Sequence, residues 1–526
     1  MAQTPQTVLD TGAQLLRAGR LDEARQIADA LLRQLPGNPA VHLFAADVTD
    51  ALGDVGGALA PLTALPPAVR QSGPVSARIA QLLVALRRRR DARAVALAAA
   101  TRPDLAPPQH TALARVLTDC LDPEGARTAL AHGHGRYPRD PAILADLAMA
   151  EFHVNRTDDA ERHLEQLLAL DPHHPGAVHL RSALRTQTPD ANHVDDLEKR
   201  LASVANRPNF VIACCFALAK EYEDLGNYDR SFAALSRGAS SYRATLKYDS
   251  AKELAALAAI RATFTTAAMQ TLASGFDFDG PIFIVGMPRT GTTLVERILT
   301  SHSQITSVGE LTDFPLLLTD IVREKLAAAP QVQREIDASI QIDFSELGKR
   351  YVDSARQLAG EHRFFIDKLP YNFLYCGYIL AALPRAKIVH LRRDPLDTCY
   401  AVYKTLFFNA YSYSYDLGEL ADYYAAYRTQ MDHWHAVLPG RILDVAYEDL
   451  VRAPEEQSRR LLEWIGVPWE AAVLNFHEQQ RPSMTASAMQ VRRPIYAQSI
   501  GAWRRVEANF APVRDRLREA GFLDPL

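Results

Sequence analysis

No run of about 18 consecutive apolar residues occurs anywhere in the chain, so no membrane-spanning helix is expected. Cysteine is scarce: Cys120, Cys214, Cys215, Cys376 and Cys399 are five in 526 residues. They are odd in number and scattered, which predicts neither a disulfide framework nor a metal-ligand spacing and fits a reducing compartment. A basic excess is missing too. With 58 Lys+Arg against 62 Asp+Glu the formal net charge is −4, so nucleic-acid binding is not indicated. The first residues lack the basic start and apolar block of a secretory leader. The expectation is a soluble, cytoplasmic protein, and its length exceeds what one core serves, so two or more domains follow.

What the chain does have is a period. "AGRLDEA", "LGDVGGA", "LRRRRDA", "CLDPEGA" and "VNRTDDA" end at Ala24, Ala58, Ala92, Ala126 and Ala160, each 34 residues after the last. Five residues before these alanines stand Gly19, Gly53, Arg87, Leu121 and Asn155, while Pro107, Pro141 and Pro175 keep the same interval. A small residue recurring at this spacing, where two helices cross closely, is the signature of tetratricopeptide repeats. Residues 1–190 are expected to form the repeat array. "ALAKEYEDLGNYDRSFAAL" carries Gly226 and Ser231 in the same relation but out of phase. Residues 191–275 therefore read as a further repeat-like helical unit with connecting helices. Arg87, Leu121 and Gly125 depart from the ideal unit and predict irregular middle repeats, and the run Arg87–Arg90 reads as a solvated helix face. Such arrays hold extended peptides or helices, which implies a protein or peptide partner and no chemistry.

From about residue 276 to 526 the pattern is different. The short apolar runs 282–285, 364–366, 387–391 and 441–445 read as strands separated by longer helical patterns. That alternation predicts a P-loop-like α/β domain with a mostly parallel sheet behind the α-helical solenoid. Ligands of such sheets sit beyond the carboxyl ends of the strands, where this chain places "GMPRTGTT", "DKLPYN", "RRDP" and "YEDL". In the first of these, Gly286 and Gly291 have the spacing of a nucleotide-triphosphate loop, yet Thr292 stands where that loop has lysine. Backbone N–H groups and a helix N-terminus suit an anion. Thr292 and Thr293 add hydroxyl donors, and the forked guanidinium of Arg289 supplies the charge.

"PRTGTTL" resembles the 5′-phosphosulfate loop of sulfotransferases, above all the tyrosylprotein sulfotransferases and their bacterial relatives with tetratricopeptide repeats. The resemblance continues through "VHLRRDPLDTCYAVY", "VAYEDLVRAPEEQSRRLLEWIGVP" and "VRRPIYAQSIGAWRR". It implies 3′-phosphoadenosine 5′-phosphosulfate (PAPS) as donor, 3′-phosphoadenosine 5′-phosphate (PAP) as product and no metal. Carried over by position, Pro288, Arg289, Thr290, Gly291, Thr292 and Thr293 would hold the 5′-phosphosulfate. Arg393 would hold the 3′-phosphate, Tyr447 would lie near the adenine, and Arg492 and Arg493 would close over the phosphates, with Ser487 on the 5′ side. The family's second 3′-phosphate ligand, a serine, is replaced by Ala401, leaving Cys399, Tyr400 or Arg392 to compensate or affinity to fall. The same resemblance implies Glu310 as the base that takes the acceptor proton, and Arg289 with Lys368 as stabilisers of the leaving oxygen.

Taken alone, Glu310 reads as a helix-capping or surface acid, and Lys368 beside Asp367 as an ordinary ion pair. His302, His390, His433 and His435 read as structural. The tyrosine-rich stretch 407–427 fits either an acceptor pocket or packing for a lid helix. The resemblance implies a hydroxyl acceptor and leaves a peptide tyrosine, a polysaccharide hydroxyl and a small metabolite open. Two rivals remain: a kinase-like phosphotransferase, disfavoured by the missing lysine, and a non-catalytic adaptor, for which Ala401 is the one mark in favour.

Overall fold

The computed structural model describes residues 4–204, 206–272, 275–328, 334–478 and 498–523. The chain forms two compact units, Met1–Asp171 and Pro172–Leu526.

The first unit is a series of antiparallel helix pairs: Pro5–Arg17 with Leu21–Gln34, Pro39–Ala51 with Val55–Thr63, Gly73–Ala85 with Arg89–Ala99, Pro107–Asp119 with Pro123–Arg136, and Pro141–His153 with Thr157–Leu170. Pro39, Pro107 and Pro141 each open a helix, where the absent N–H costs nothing. The periodic alanines Ala24, Ala58, Ala92, Ala126 and Ala160 are all buried to within 1% of completely. Within each pair the turn passes through a left-handed residue, Gly19 (φ 72°), Gly53 (89°), Arg87 (59°), Leu121 (58°) and Asn155 (65°). The expected irregularity at Arg87 and Leu121 is therefore corrected. The turn geometry persists without glycine, at a conformational cost of roughly 1–2 kcal/mol each. The arginine run is a solvated face only in part: Arg88 and Arg90 are exposed, but Arg87 is in the turn and Arg89 is buried.

The second unit begins with further helices, among them Pro208–Asp224 and Tyr228–Arg243, joined through Gly226 at φ 75°. It continues into five parallel strands: β1 (Pro281–Gly286), β2 (Ile305–Ser307), β3 (Phe364–Asp367), β4 (Lys387–Arg392) and β5 (Ile442–Ala446), in the order β2-β3-β1-β4-β5. Four of these coincide with the apolar runs; β2 is additional. One sheet face packs Ile282, Ile284, Val389, Leu391 and Val445 against Val295, Ile298, Leu461 and Leu462 of the covering helices. On the other, Phe283 stacks on Tyr351 at 5.4 Å.

The helices ahead of the sheet belong to its own packing. Phe264 is fully buried against Tyr378 and Trp434 (ring centroids 4.4 and 5.6 Å). Arg243 forks onto Glu419 with both bonds at 2.7 Å, and Lys404 reaches Glu223 at 2.8 Å. The tyrosine-rich stretch is mostly interior: Tyr413, Tyr415, Tyr423, Tyr424 and Tyr427 are each 2% exposed or less.

Candidate active site at the carboxyl ends of the strands

The register aligns the strand ends. Gly286 pairs with Leu391, Phe283 with Asp367, Ser307 with Ile366 and Arg392 with Ala446. The residues that follow each strand therefore meet along one edge. After β1 the chain turns sharply through Gly286 (φ 149°), where a Cβ would lie 2.7 Å from the Leu391 carbonyl oxygen, so only glycine fits. Arg289 is left-handed (φ 67°), and Gly291 (φ 103°) caps the helix Thr292–Thr300. Thr290, Thr292 and Thr293 are buried, with the Thr290 hydroxyl donating to the Met287 carbonyl at 2.8 Å. The result is a glycine-bounded loop at a helix N-terminus, the geometry that cradles oxyanions.

Two further strand ends close on this loop. Arg393, just after β4, donates to the Arg289 carbonyl at 3.1 Å and the Ser499 carbonyl at 2.5 Å, and lies 4.9 Å over the Tyr447 ring. Tyr447, just after β5, covers Gly291 so closely that a Cβ there would be 2.6 Å from the ring. Its hydroxyl lies 2.9 Å from Ser499 Oγ. Asp397 anchors that late segment, accepting from the N–H groups of Gly501 (2.5 Å) and Trp503 (3.1 Å). Ser499 is a neighbour the sequence reading missed. It lies within the quoted "VRRPIYAQSIGAWRR", but nothing in one dimension brings it to Arg393 and Tyr447. Ser487, Arg492 and Arg493 lie outside the described residues.

Of the residues considered as substitutes at the Ala401 position, each is engaged elsewhere. Cys399 is fully buried, which pushes its thiol well up from the ordinary range. The Tyr400 hydroxyl faces Glu223 at 3.4 Å, and Arg392 bonds Asp444 at 3.2 Å. Ser499 is the serine at this place, its carbonyl accepting from Arg393 and its hydroxyl paired with Tyr447.

At the ends of β2 and β3 a charged group forms. The Lys368 ammonium donates to Glu310 and lies 3.9 Å from Glu296. Glu296, which the sequence reading did not single out, accepts from Ser307 Oγ at 2.5 Å, and that oxygen accepts from the Gly309 N–H at 3.0 Å. Lys368 therefore does not pair with Asp367. Asp367 is fully buried on the other side and accepts from the Tyr351 hydroxyl at 2.8 Å; burial pushes its carboxyl up to about 8. Tyr411 lies near this group, its phenol pushed up by burial and by the Glu310 charge. Its ring packs on Phe407 (4.7 Å) and Tyr371 (5.1 Å). Tyr371 in turn donates to Glu253 at 2.7 Å.

His390, His435 and Asp444 present ligating atoms within 4.8 Å of one another. Arg392 already places a cation on Asp444 there. Burial opposes ionisation of Asp444, but hydrogen bonds from His390 and His435 outweigh it and hold the carboxylate far below its usual range. Burial lowers His390, while the bond to Asp444 raises His435.

Fold and site together define a parallel α/β domain with an oxyanion cradle and a lysine–glutamate pair, preceded by helical repeats. Residues 281–471 match the sulfotransferase family and residues 15–82 the tetratricopeptide repeat. The chain thus joins tetratricopeptide repeats to a sulfotransferase-family domain. An uncharacterized protein of Aquifex aeolicus is 31% identical over 391 residues, which is 73% of this chain and 51% of that protein. The chain spans about half that relative's length. Protein-tyrosine sulfotransferase A of Caenorhabditis elegans is 26% identical over 275 residues, 48% of this chain and 69% of that one. Protein-tyrosine sulfotransferase 1 of Danio rerio is 26% identical over 275 residues, 47% and 72% respectively. Among solved structures, the sulfotransferase domain of the Synechococcus olefin synthase aligns at 19% identity over 48% of this chain and 99% of its own, with a TM-score of 0.35. Among the described residues no helix is long and apolar enough to cross a membrane.

Proposed function

We propose that the protein transfers a sulfuryl group from PAPS to a hydroxyl acceptor, a peptide tyrosine, in the cytoplasm, with the repeats recruiting the acceptor or a partner that presents it. The observation that carries this reading is the meeting of three groups along one sheet edge: the loop Gly286–Thr293, the Arg393–Tyr447 pair, and Lys368 with Glu310. Such an edge offers two separate cationic places to a donor phosphorylated at two positions. The Arg289 loop suits the 5′ end, Arg393 the 3′-phosphate, and the Tyr447 ring a base.

PAPS, when bound, brings a sulfuryl group carried on a phosphate. Every other role falls to the protein. Arg289 and the loop N–H groups hold the phosphosulfate in line with the acceptor. Lys368 meets the negative charge that grows on the leaving oxygen. Glu310, the exposed member of the pair, leaves the buried lysine and takes the acceptor hydroxyl's proton at its carboxylate. Glu296, 3.9 Å from the ammonium, leaves Lys368 a second carboxylate when Glu310 moves to the acceptor. The aromatic wall of Phe407, Tyr411 and Tyr371 beside Glu310 suits a phenol, and the relatives named above as protein-tyrosine sulfotransferases support a tyrosine acceptor.

Incubation with sulfur-labelled PAPS and a panel of tyrosine peptides, polysaccharides and small phenols tests this. Label is expected on peptide tyrosine. Phosphate transferred from ATP with no sulfuryl transfer would overturn the reading.

A further inference from the structure

A cavity of about 500 Å³ lies at the opposite edge of the same sheet, where the strands begin. Its wall includes Arg363, Arg385, Lys387 and Arg441, which lead into β3, β4 and β5, together with Trp464 and Asp279. Asp279 is the single acid among the lining residues, against four cations, in a chain whose net charge is −4. Arg363 and Arg385 converge from different strand entries on one oxygen, Asp279 Oδ2, at 2.9 and 3.0 Å. Asp277 adds only a distant contact to Arg385 at 3.5 Å and is 79% exposed. The Lys387 ammonium lies 5.2 Å over the Trp464 ring, and Arg441 bonds a neutral acceptor, the Pro384 carbonyl. The buried Trp464 Nε1–H finds no acceptor among the described residues.

Two guanidinium forks and an ammonium surround a space that one carboxylate does not neutralise. Forked guanidinium groups match the oxygens of phosphate. The volume falls within the roughly 300–1,000 Å³ of small-molecule sites. A singly charged carboxylate would leave most of this charge unmet. We propose that this cavity is a second binding site, separate from the cradle at the carboxyl edge, for a multiply charged phosphate-bearing small molecule of nucleotide size or less. Asp279 holds the two arginines in a converging pose, and the anion's oxygens extend the same convergence into the cavity.

Calorimetric titration of the full chain with inorganic pyrophosphate tests this, with tryptophan emission followed in parallel. One saturable site should survive in Arg289→Ala, which disables the catalytic cradle. That site should weaken at least about tenfold in Arg363→Ala/Arg385→Ala, whose side chains are 63% and 55% exposed and so removable without unfolding. Lys387→Met should weaken it independently, and the emission change should vanish in Trp464→Phe. Sulfate should bind at least about tenfold more weakly than pyrophosphate. Absence of saturable binding, or binding abolished by Arg289→Ala and untouched by the double variant, would overturn the proposal.

Discussion

Lys368 and Glu310 form an ion pair across the ends of β3 and β2 in which the lysine is buried and the acid is open to solvent: the side chains are 1% and 43% exposed. Glu296, 3.9 Å away, gives the ammonium a second carboxylate to rest against. A buried cation beside a solvent-open carboxylate suits a reaction in which positive charge stays in place while a base approaches the acceptor. Glu310→Gln keeps shape and cannot take a proton, so kcat should fall about 10²–10⁴-fold with PAP affinity near wild type. Lys368→Ala should lower kcat about 10²–10³-fold. Steady-state kinetics with separate PAP titrations check both, and near-normal kcat in Glu310→Gln would return attention to the histidines.

Gly291 meets Tyr447 where no side chain fits. A Cβ would stand 2.6 Å from the ring, on a residue with φ 103°. Gly291→Ala should push Tyr447 off Arg393 and Ser499 and weaken PAP by at least about tenfold, or about 1.4 kcal/mol. Titration calorimetry reads this directly, and unchanged affinity would mean that Tyr447 takes no part in donor binding.

The helices between residues 172 and 272 contribute Glu223, Arg243, Glu253 and Phe264 to the packing of the sheet domain. A chain beginning at residue 172 should fold and bind PAP, with a raised KM for a peptide acceptor if the repeats recruit it. One beginning at residue 276 should fail to fold, since it exposes the apolar seat of Phe264 and leaves Glu419 and Lys404 without partners. Circular dichroism and PAP binding of the two truncations separate these outcomes.

Asp367 predicts a pH dependence. Burial raises its folded pKa to about 8, above the ordinary 3.8. Between those values the folded chain keeps a proton that the unfolded chain has released, so this group's contribution to stability is present at low pH and lost as pH rises toward 8. Asp367→Asn stays neutral throughout. Its melting temperature relative to wild type should therefore climb from pH 5 to pH 8, and parallel curves would contradict the assignment.

The sequence is most legible where the signal is local. Periodic alanines, the loop Gly286–Thr293 and the polar strand ends all declare themselves within a few residues. What escaped is tertiary. β2 is three residues long, with only Ile305 apolar, and exists because β3 pairs with it. Ser499 reaches Tyr447 across 52 residues, and Glu296 reads as one more helix charge until Ser307 and Lys368 fold against it. The left-handed turns at Arg87 and Leu121 show the converse: helix packing on either side fixes a turn that the local residue does not favour.

Thermal denaturation with PAP in magnesium-free buffer tests whether the loop without its lysine is a PAPS site. PAP should raise the melting temperature in a concentration-dependent way, by mass action on the folded state. The shift should shrink in Arg393→Ala and nearly vanish in Arg289→Ala, and ATP should do far less. Stabilisation by magnesium-ATP equal to that by PAP, or a PAP shift indifferent to Arg289 and Arg393, would contradict the account.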